Sequence, residues 1–213
     1  FMNGTLVKNQ LILDFASGSL SPSKSIFTST YLFLNAKASR LNIAVENILG
    51  NELFNNNDVP VASFDFKDCI SSENKGSKEP KKDNVNLSPL SKIVGPLRDI
   101  NWKQIYRGFS EFSLDLNDNE ELKLIKMDPG VSVPLHSHNG KEYILVLSGS
   151  FKDEYGTYSK GDLQINDQEI KHTPIASEKE GCICLTISEK DVVFFGRLGS
   201  FLNLFTFIKS FFK

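Results

Sequence analysis

The stretch Gly130-Val-Ser-Val-Pro-Leu-His136-Ser-His138-Asn-Gly-Lys-Glu142-Tyr-Ile-Leu-Val-Leu-Ser-Gly149 decides how this chain is read. Two histidines stand one residue apart, a glutamate follows four beyond the second, and glycines bound the run. On a strand, His136 and His138 share one face. Glu142 has the same parity, across a break expected at Asn139-Gly140. The third and last histidine of the chain lies in Lys171-His172-Thr173-Pro174, shortly after Gly161-Asp162. Histidines kept for surface or packing reasons would not gather in this way. Three imidazoles and one carboxylate are donors suited to Zn, Fe, Mn, Ni or Cu.

The sequence around this run is β-rich. Phe109 to Leu116, Leu122 to Met127, Tyr143 to Leu147, Asp162 to Ile165 and Cys182 to Ile187 read as short strands separated by turn residues, the spacing of a sandwich or barrel. Residues 5–54 differ. Leu11, Ile12 and Phe15, then Ile26, Phe27, Tyr31, Leu32 and Leu34, then Leu41, Val45, Ile48 and Leu49 recur at helical spacing. Gly18 and Ser21-Pro22 separate a first helix from a second. Ser21 is the expected N-cap, Pro22 fits the first turn, and Gly50 is the expected C-cap of the last helix. So few helices cannot bury all their apolar faces alone, and a partner surface is expected. Between the two regions, Ser71 to Asp83 is polar and charged and reads as a linker. The apolar stretch Val59 to Phe66 interrupts it. The fold class is therefore α+β and multi-domain: a helical domain at 1–56, a flexible linker at 57–86, and an all-β barrel at 87–213 ending in a helix. That last helix carries apolar residues at 201, 204, 205, 208, 211 and 212. Such a stripe is expected to dock on a domain or on a second copy in a homodimer, and it is too short to span a membrane.

Composition narrows the function classes. Hydrophobic residues make up 40% of the 213, enough for packed cores. The formal net charge is -2, with no basic footprint for direct nucleic-acid binding. Cys69, Cys182 and Cys184 make no disulfide framework, and the start of the sequence has no signal-peptide pattern. A reducing, cytoplasmic setting is expected.

Position for position, Gly130-x5-His136-x-His138-x3-Glu142-x6-Gly149 resembles the first motif of the cupin superfamily, and Gly161-Asp162 to His172 resembles the second more loosely. The resemblance implies a double-stranded β-helix barrel in which His136, His138, Glu142 and His172 bind one divalent metal, zinc first, with Fe, Mn or Ni as alternatives. The longer run from His136 through Gly161-Asp162, with His172-Thr-Pro, Gly181-Cys-Ile-Cys-Leu and the approach Leu87 to Trp102, is similar to the cupin domain of ChrR-type anti-sigma factors. In that family, a helical domain holds an extracytoplasmic-function sigma factor, and the cupin takes part in the response to an oxidative signal. The function so implied is transcriptional regulation, with a metal-binding cupin as sensor of an oxidative or small-molecule signal. A metal-dependent cupin dioxygenase is the alternative, weakened because no further histidine remains to act as base; no catalytic residue is assigned.

Leu11 to Leu20 resembles that family's first helix and its glycine turn. Where the family carries a His-x3-Cys-x2-Cys zinc motif, this chain has Tyr31, Asn35 and Ala38. No histidine precedes His136, so zinc-linked switching in the helical domain is excluded by its lack of ligands. Cys182 and Cys184 read as buried inert thiols rather than a redox pair. Tyr143, Tyr155 and Tyr158 read as packing residues, and Asp153 and Glu154 as solvated residues of a hairpin turn. Elemental analysis of protein purified without a nickel column is expected to give one bound ion per chain; two would contradict this reading of the helical domain.

Overall fold

The structure, a computed structural model, describes residues 4–54 and 89–195. Three helices come first: α1 (Gly4–Ala16), α2 (Pro22–Leu34) and α3 (Ala36–Phe54). Ser21 caps α2 by accepting a hydrogen bond from the Lys24 amide at 3.2 Å, and Pro22 opens the first turn, as the sequence predicts. Gly50 is not a C-cap, because α3 runs through it to Phe54. A lone glycine costs a helix only about 1 kcal/mol, too little to end one of 19 residues.

A short helix α4 (Ser91–Val94) and a 3-10 turn (Leu97–Asp99) lead into ten strands. They are β1 (Lys103–Tyr106), β2 (Phe109–Leu114), β3 (Glu121–Met127), β4 (His136–His138), β5 (Glu142–Asp153), β6 (Gly156–Ser159), β7 (Leu163–Asn166), β8 (Ile175–Ala176), β9 (Cys182–Ser188) and β10 (Val192–Phe194). The strands read from the sequence are β2, β3, the first half of β5, β7 and β9. The others are short or exposed and carry no strong apolar alternation.

The sheet runs β1-β2-β3-β9-β5-β6, with β7 and β8 also pairing β5, and β10 pairs β4. All pairings are antiparallel. Its central part, β3-β9-β5, is buried on both faces. On the outer face Leu122 and Leu124 of β3 register with Ile187 and Leu185 of β9, which register in turn with Tyr143 and Leu145 of β5. On the inner face Ile125 and Met127 oppose Cys184 and Cys182, and Ile144 opposes Thr186. Each face has its own apolar cluster. The outer one is shared with Leu11, Ile12, Phe27 and Tyr31 of the helices; the inner one contains Phe109, Met127, Ile144, Phe151, Cys182 and Cys184. Burial on both sides explains why Tyr143 to Leu147 is an unbroken apolar run rather than an alternating one.

The helices' expected partner is therefore, on one face, the barrel itself. Phe27 is wholly buried and meets the Tyr143 ring edge-on at 6.1 Å. Around this apolar contact runs a polar seam. The Ser23 amide and hydroxyl donate to Asp118 at 2.8 and 2.9 Å, and the Lys24 ammonium reaches Glu120 at 2.6 Å and Glu189 at 3.0 Å. At the other end Asn35 donates to the Gly161 carbonyl at 3.1 Å. Gly161 has φ +87, and a Cβ there would stand 3.0 Å from the Leu34 carbonyl oxygen, so only glycine allows this approach without strain. Leu6, Phe33 and Ile43 stay exposed on the helices, at 65, 56 and 54%. The linker at 57–86, the Val59 to Phe66 stretch and the C-terminal stripe lie outside the described residues.

Lys24 is the charged centre of the seam. Burial opposes ionisation of Glu189, but Lys24 outweighs it and holds the carboxyl below its ordinary value of 4.5. A carboxylate with a depressed folded pKa stabilises above its unfolded pKa, and the contribution is lost as pH falls through the folded value. Lys24→Ala is expected to cost about 1–3 kcal/mol in urea unfolding at neutral pH. The difference from the parent should shrink as pH drops below about 4; a gap that stays constant to acid pH would show that the seam does not depend on these charges.

Candidate metal centre

The four residues singled out from the sequence come together. Strand β4 presents His136 and His138, β5 begins at Glu142, and His172 bridges back to His136 through backbone bonds of 3.0 and 3.1 Å in both directions. All four are buried, and one donor atom from each lies within 4.8 Å of the others. His136 Nε2 stands 3.1 Å from His172 Nε2. Glu142 Oε2 lies 3.1 Å from His138 Nε2 and 3.5 Å from His172 Nε2. The Asn139-Gly140 break expected from the sequence separates β4 from β5 and lets Glu142 turn onto the same centre.

Tautomers follow from the outer partners of each ring. His136 Nδ1 is 2.9 Å from the Pro134 carbonyl, which can only accept, so in the neutral ring Nε2 carries a bare lone pair. His172 Nδ1 is 3.1 Å from Asp153 Oδ2, with the same consequence. Two bare imidazole nitrogens at 3.1 Å repel unless a cation or a shared proton lies between them. His138 adds a second mismatch: neither of its buried ring nitrogens has an aligned hydrogen-bond partner, although Nε2 is close to Glu142. Converging lone pairs and an unpartnered buried imidazole suit a divalent ion bound by three nitrogens and one carboxylate oxygen. The donor set fits the group that the sequence implies, and a bound ion there would act as a Lewis acid toward an oxygen ligand.

The charges are strongly biased. Burial pushes the His136 imidazole down to about 4, assisted by the neighbouring His172 and His138. Burial also disfavours charge on His172, but the hydrogen bonds it donates to Asp153 and Glu142 overcome this and raise that ring to about 9. Glu142 is held well below the usual carboxylate range: burial opposes this, and contacts with His138 and His172 outweigh it. Asn166 donates to Glu142 Oε2 at 3.1 Å and fixes its orientation.

Asp153 corrects the sequence reading. It is not a solvated turn residue: its side chain is fully shielded, and it accepts from Gln164 at 2.7 Å as well as from His172. Its neighbour Glu154 does sit at the surface, accepting from the Thr173 amide. The reason for the miss is a β-bulge between Val146 and Ser148. Before it, even-numbered residues of β5 face the centre; beyond it, Phe151 and Asp153 do. A bulge inverts the period-two pattern, and no parity count from Glu142 could find Asp153. Gly149 sits where the bulged strand crosses β9: a Cβ there would come to 2.1 Å from the Gly181 carbonyl oxygen, which explains the glycine that closes the motif.

Cys182 and Cys184 are buried with sulfurs 3.4 Å apart. The hydrogen bond between them and burial raise the Cys184 thiol well above its usual value, so it is protonated and a poor nucleophile. Tyr143 faces the helices, Tyr158 stacks on Phe151, and Tyr155 is half exposed and bonds the Lys171 carbonyl.

Residues 90–190 match the ChrR cupin-like domain. The match covers most of the barrel. Similarity extends beyond it: over 201 residues the chain is 28% identical to the anti-sigma-E factor ChrR of Cereibacter sphaeroides, covering 92% of each. Among solved structures it resembles ChrR in the crystal structure of Rhodobacter sphaeroides SigE in complex with that anti-sigma factor. The TM-score is 0.69 at 28% identity, covering 84% of this chain and 96% of the other. The helices and the ChrR cupin-like domain are thus both shared, although Tyr31 and Ala38 are buried packing residues here and Asn35 caps α3 through the Ala38 amide.

Replacing the residue that orients a metal-bound histidine lowers affinity by roughly 10–100-fold. Asp153→Asn should weaken zinc binding by that factor in chelator competition while leaving the circular-dichroism spectrum unchanged. Unaltered affinity would remove Asp153 from the centre.

Proposed function

We propose that this chain is an anti-sigma factor whose helical domain holds an extracytoplasmic-function sigma factor and whose barrel carries one zinc ion on His136, His138, Glu142 and His172. The observation that carries the reading is correspondence over both parts of the chain with ChrR, in the form in which ChrR is crystallised with SigE. A barrel shared alone would say nothing about partners.

The geometry supplies a route between the two parts. Glu142 and Tyr143 are consecutive on β5. Glu142 faces the centre, and Tyr143 packs under Phe27 and beneath the Lys24 ammonium, 5.5 Å from its ring centroid. Glu189, which follows the last residue of β9, binds Lys24. A change of ligation at Glu142 therefore displaces the strand on which α2 rests. Allosteric coupling needs an element with two arrangements that both sites bias, and β5 with its docked helix, in contact with both, is placed to serve as one. The signal is oxidative or a small molecule reaching the barrel, and the setting is cytoplasmic, where sigma factors act. Leu6, Phe33 and Ile43 are exposed large apolar side chains that the described helices leave available to a partner. Among the described residues, no helix is long and apolar enough to cross a membrane. The dioxygenase alternative has no independent observation behind it, since all three imidazoles belong to the centre.

Co-expression with an extracytoplasmic-function sigma factor from the same genome should give a stable complex on size exclusion. Phe33→Asp with Ile43→Asp should weaken it by about 2 kcal/mol or more without unfolding the chain. Absence of any complex at micromolar concentration, tried against each such sigma factor, would overturn the anti-sigma reading.

A further inference from the structure

The inner face of the barrel lines a partly open cavity of about 710 Å³, into which the four donor side chains also face. Protein interiors are otherwise close-packed, with few voids larger than a water molecule. A volume of this size is that of sites for small organic ligands, roughly 300–1,000 Å³. Phe109, Ile125, Met127, Ile144, Phe151 and Cys184 supply much of its wall.

Of the polar groups away from the centre, Lys123 and Thr186 are already engaged, and Lys103 and Gln104 lie on the exposed strand β1 at its edge. The Lys123 ammonium lies 2.7 Å from Glu121 and 4.0 Å from Glu111. The Thr186 hydroxyl donates to the Lys123 carbonyl at 3.4 Å. A sugar would bury many hydroxyls against apolar walls without partners, at a cost of roughly 1–3 kcal/mol each. A phosphate would find the Lys123 ammonium neutralised and that of Lys103 on an exposed strand, in competition with water. What fits is a molecule with an apolar body and a single polar end. At the His136, His138, Glu142 and His172 end, a divalent ion held by three neutral imidazoles and one carboxylate retains net positive charge. That end suits an anionic oxygen.

We propose that the barrel binds an amphipathic carboxylate, its apolar body against Ile125, Met127 and Ile144 and its acid group turned to the histidine cluster. The inference rests on the metal-centre reading and is independent of sigma-factor binding.

Decanoate and decanol serve as probes, titrated calorimetrically into the zinc-loaded full-length chain. Decanoate should bind saturably at one site, and decanol, which has the same body without the charge, about tenfold or more weakly. Ile125→Trp and Ile144→Phe each fill the cavity from a different strand and should lower decanoate affinity about tenfold or more. Zinc content and near-ultraviolet dichroism of each variant show whether it remains folded and loaded. If one variant does not, the other decides. Decanoate binding that is undetectable at millimolar concentration, matched by decanol, or unchanged in both filled variants would overturn the proposal. Zinc content of the parent, measured on the same sample, separates failure of the metal centre from failure of the ligand site.

Discussion

The three-strand unit β3-β9-β5, buried on both faces, is the constraint on which the rest of the molecule depends. Its outer face gives α1 and α2 somewhere to put Leu11, Ile12, Phe27 and Tyr31. Its inner face walls the cavity and begins the metal centre at Glu142. Each large apolar side chain buried there contributes about 1.5–3 kcal/mol. A one-residue slip of β5 would exchange the two sets, moving Tyr143 into the barrel and Glu142 under the helices. The register therefore fixes at once which residues face the four donors and which pack against the helices.

This arrangement also explains how a helical domain without its relatives' zinc ligands persists. A structural zinc site stabilises a small domain directly. Here Tyr31 and Ala38 are buried, Asn35 caps α3 and reaches the barrel, and Lys24 ties α2 to both Glu120 and Glu189. Docking on the barrel orders these helices. The helices are in direct contact with the strand that carries Glu142, through Phe27 and Lys24 on Tyr143.

Much of the site was legible without coordinates. His136, His138, Glu142 and His172 are few, closely spaced and chemically specific, and their types have little other reason to recur at those intervals. The strands visible in the sequence were those buried enough to show it; β4 and β8, of three and two residues, are too short to carry a period. Gly50 misled because a glycine's preference for helix ends is weaker than the propagation of a long helix. Asp153 was invisible because the bulge between Val146 and Ser148 reverses facing partway along one strand.

The sequence by itself determined the donor set, the β-rich character of the second half and the absence of histidine from the first, because these depend on residue identity and short spacing. The tertiary structure decided the rest. It showed that Asp153 holds His172, that the helices rest on the back of the strand that carries Glu142 through Phe27, Tyr143 and Lys24, and that an apolar cavity adjoins the four donors. These depend on contacts between residues up to 165 positions apart, as for Lys24 and Glu189, and no local pattern encodes the register that brings such pairs together.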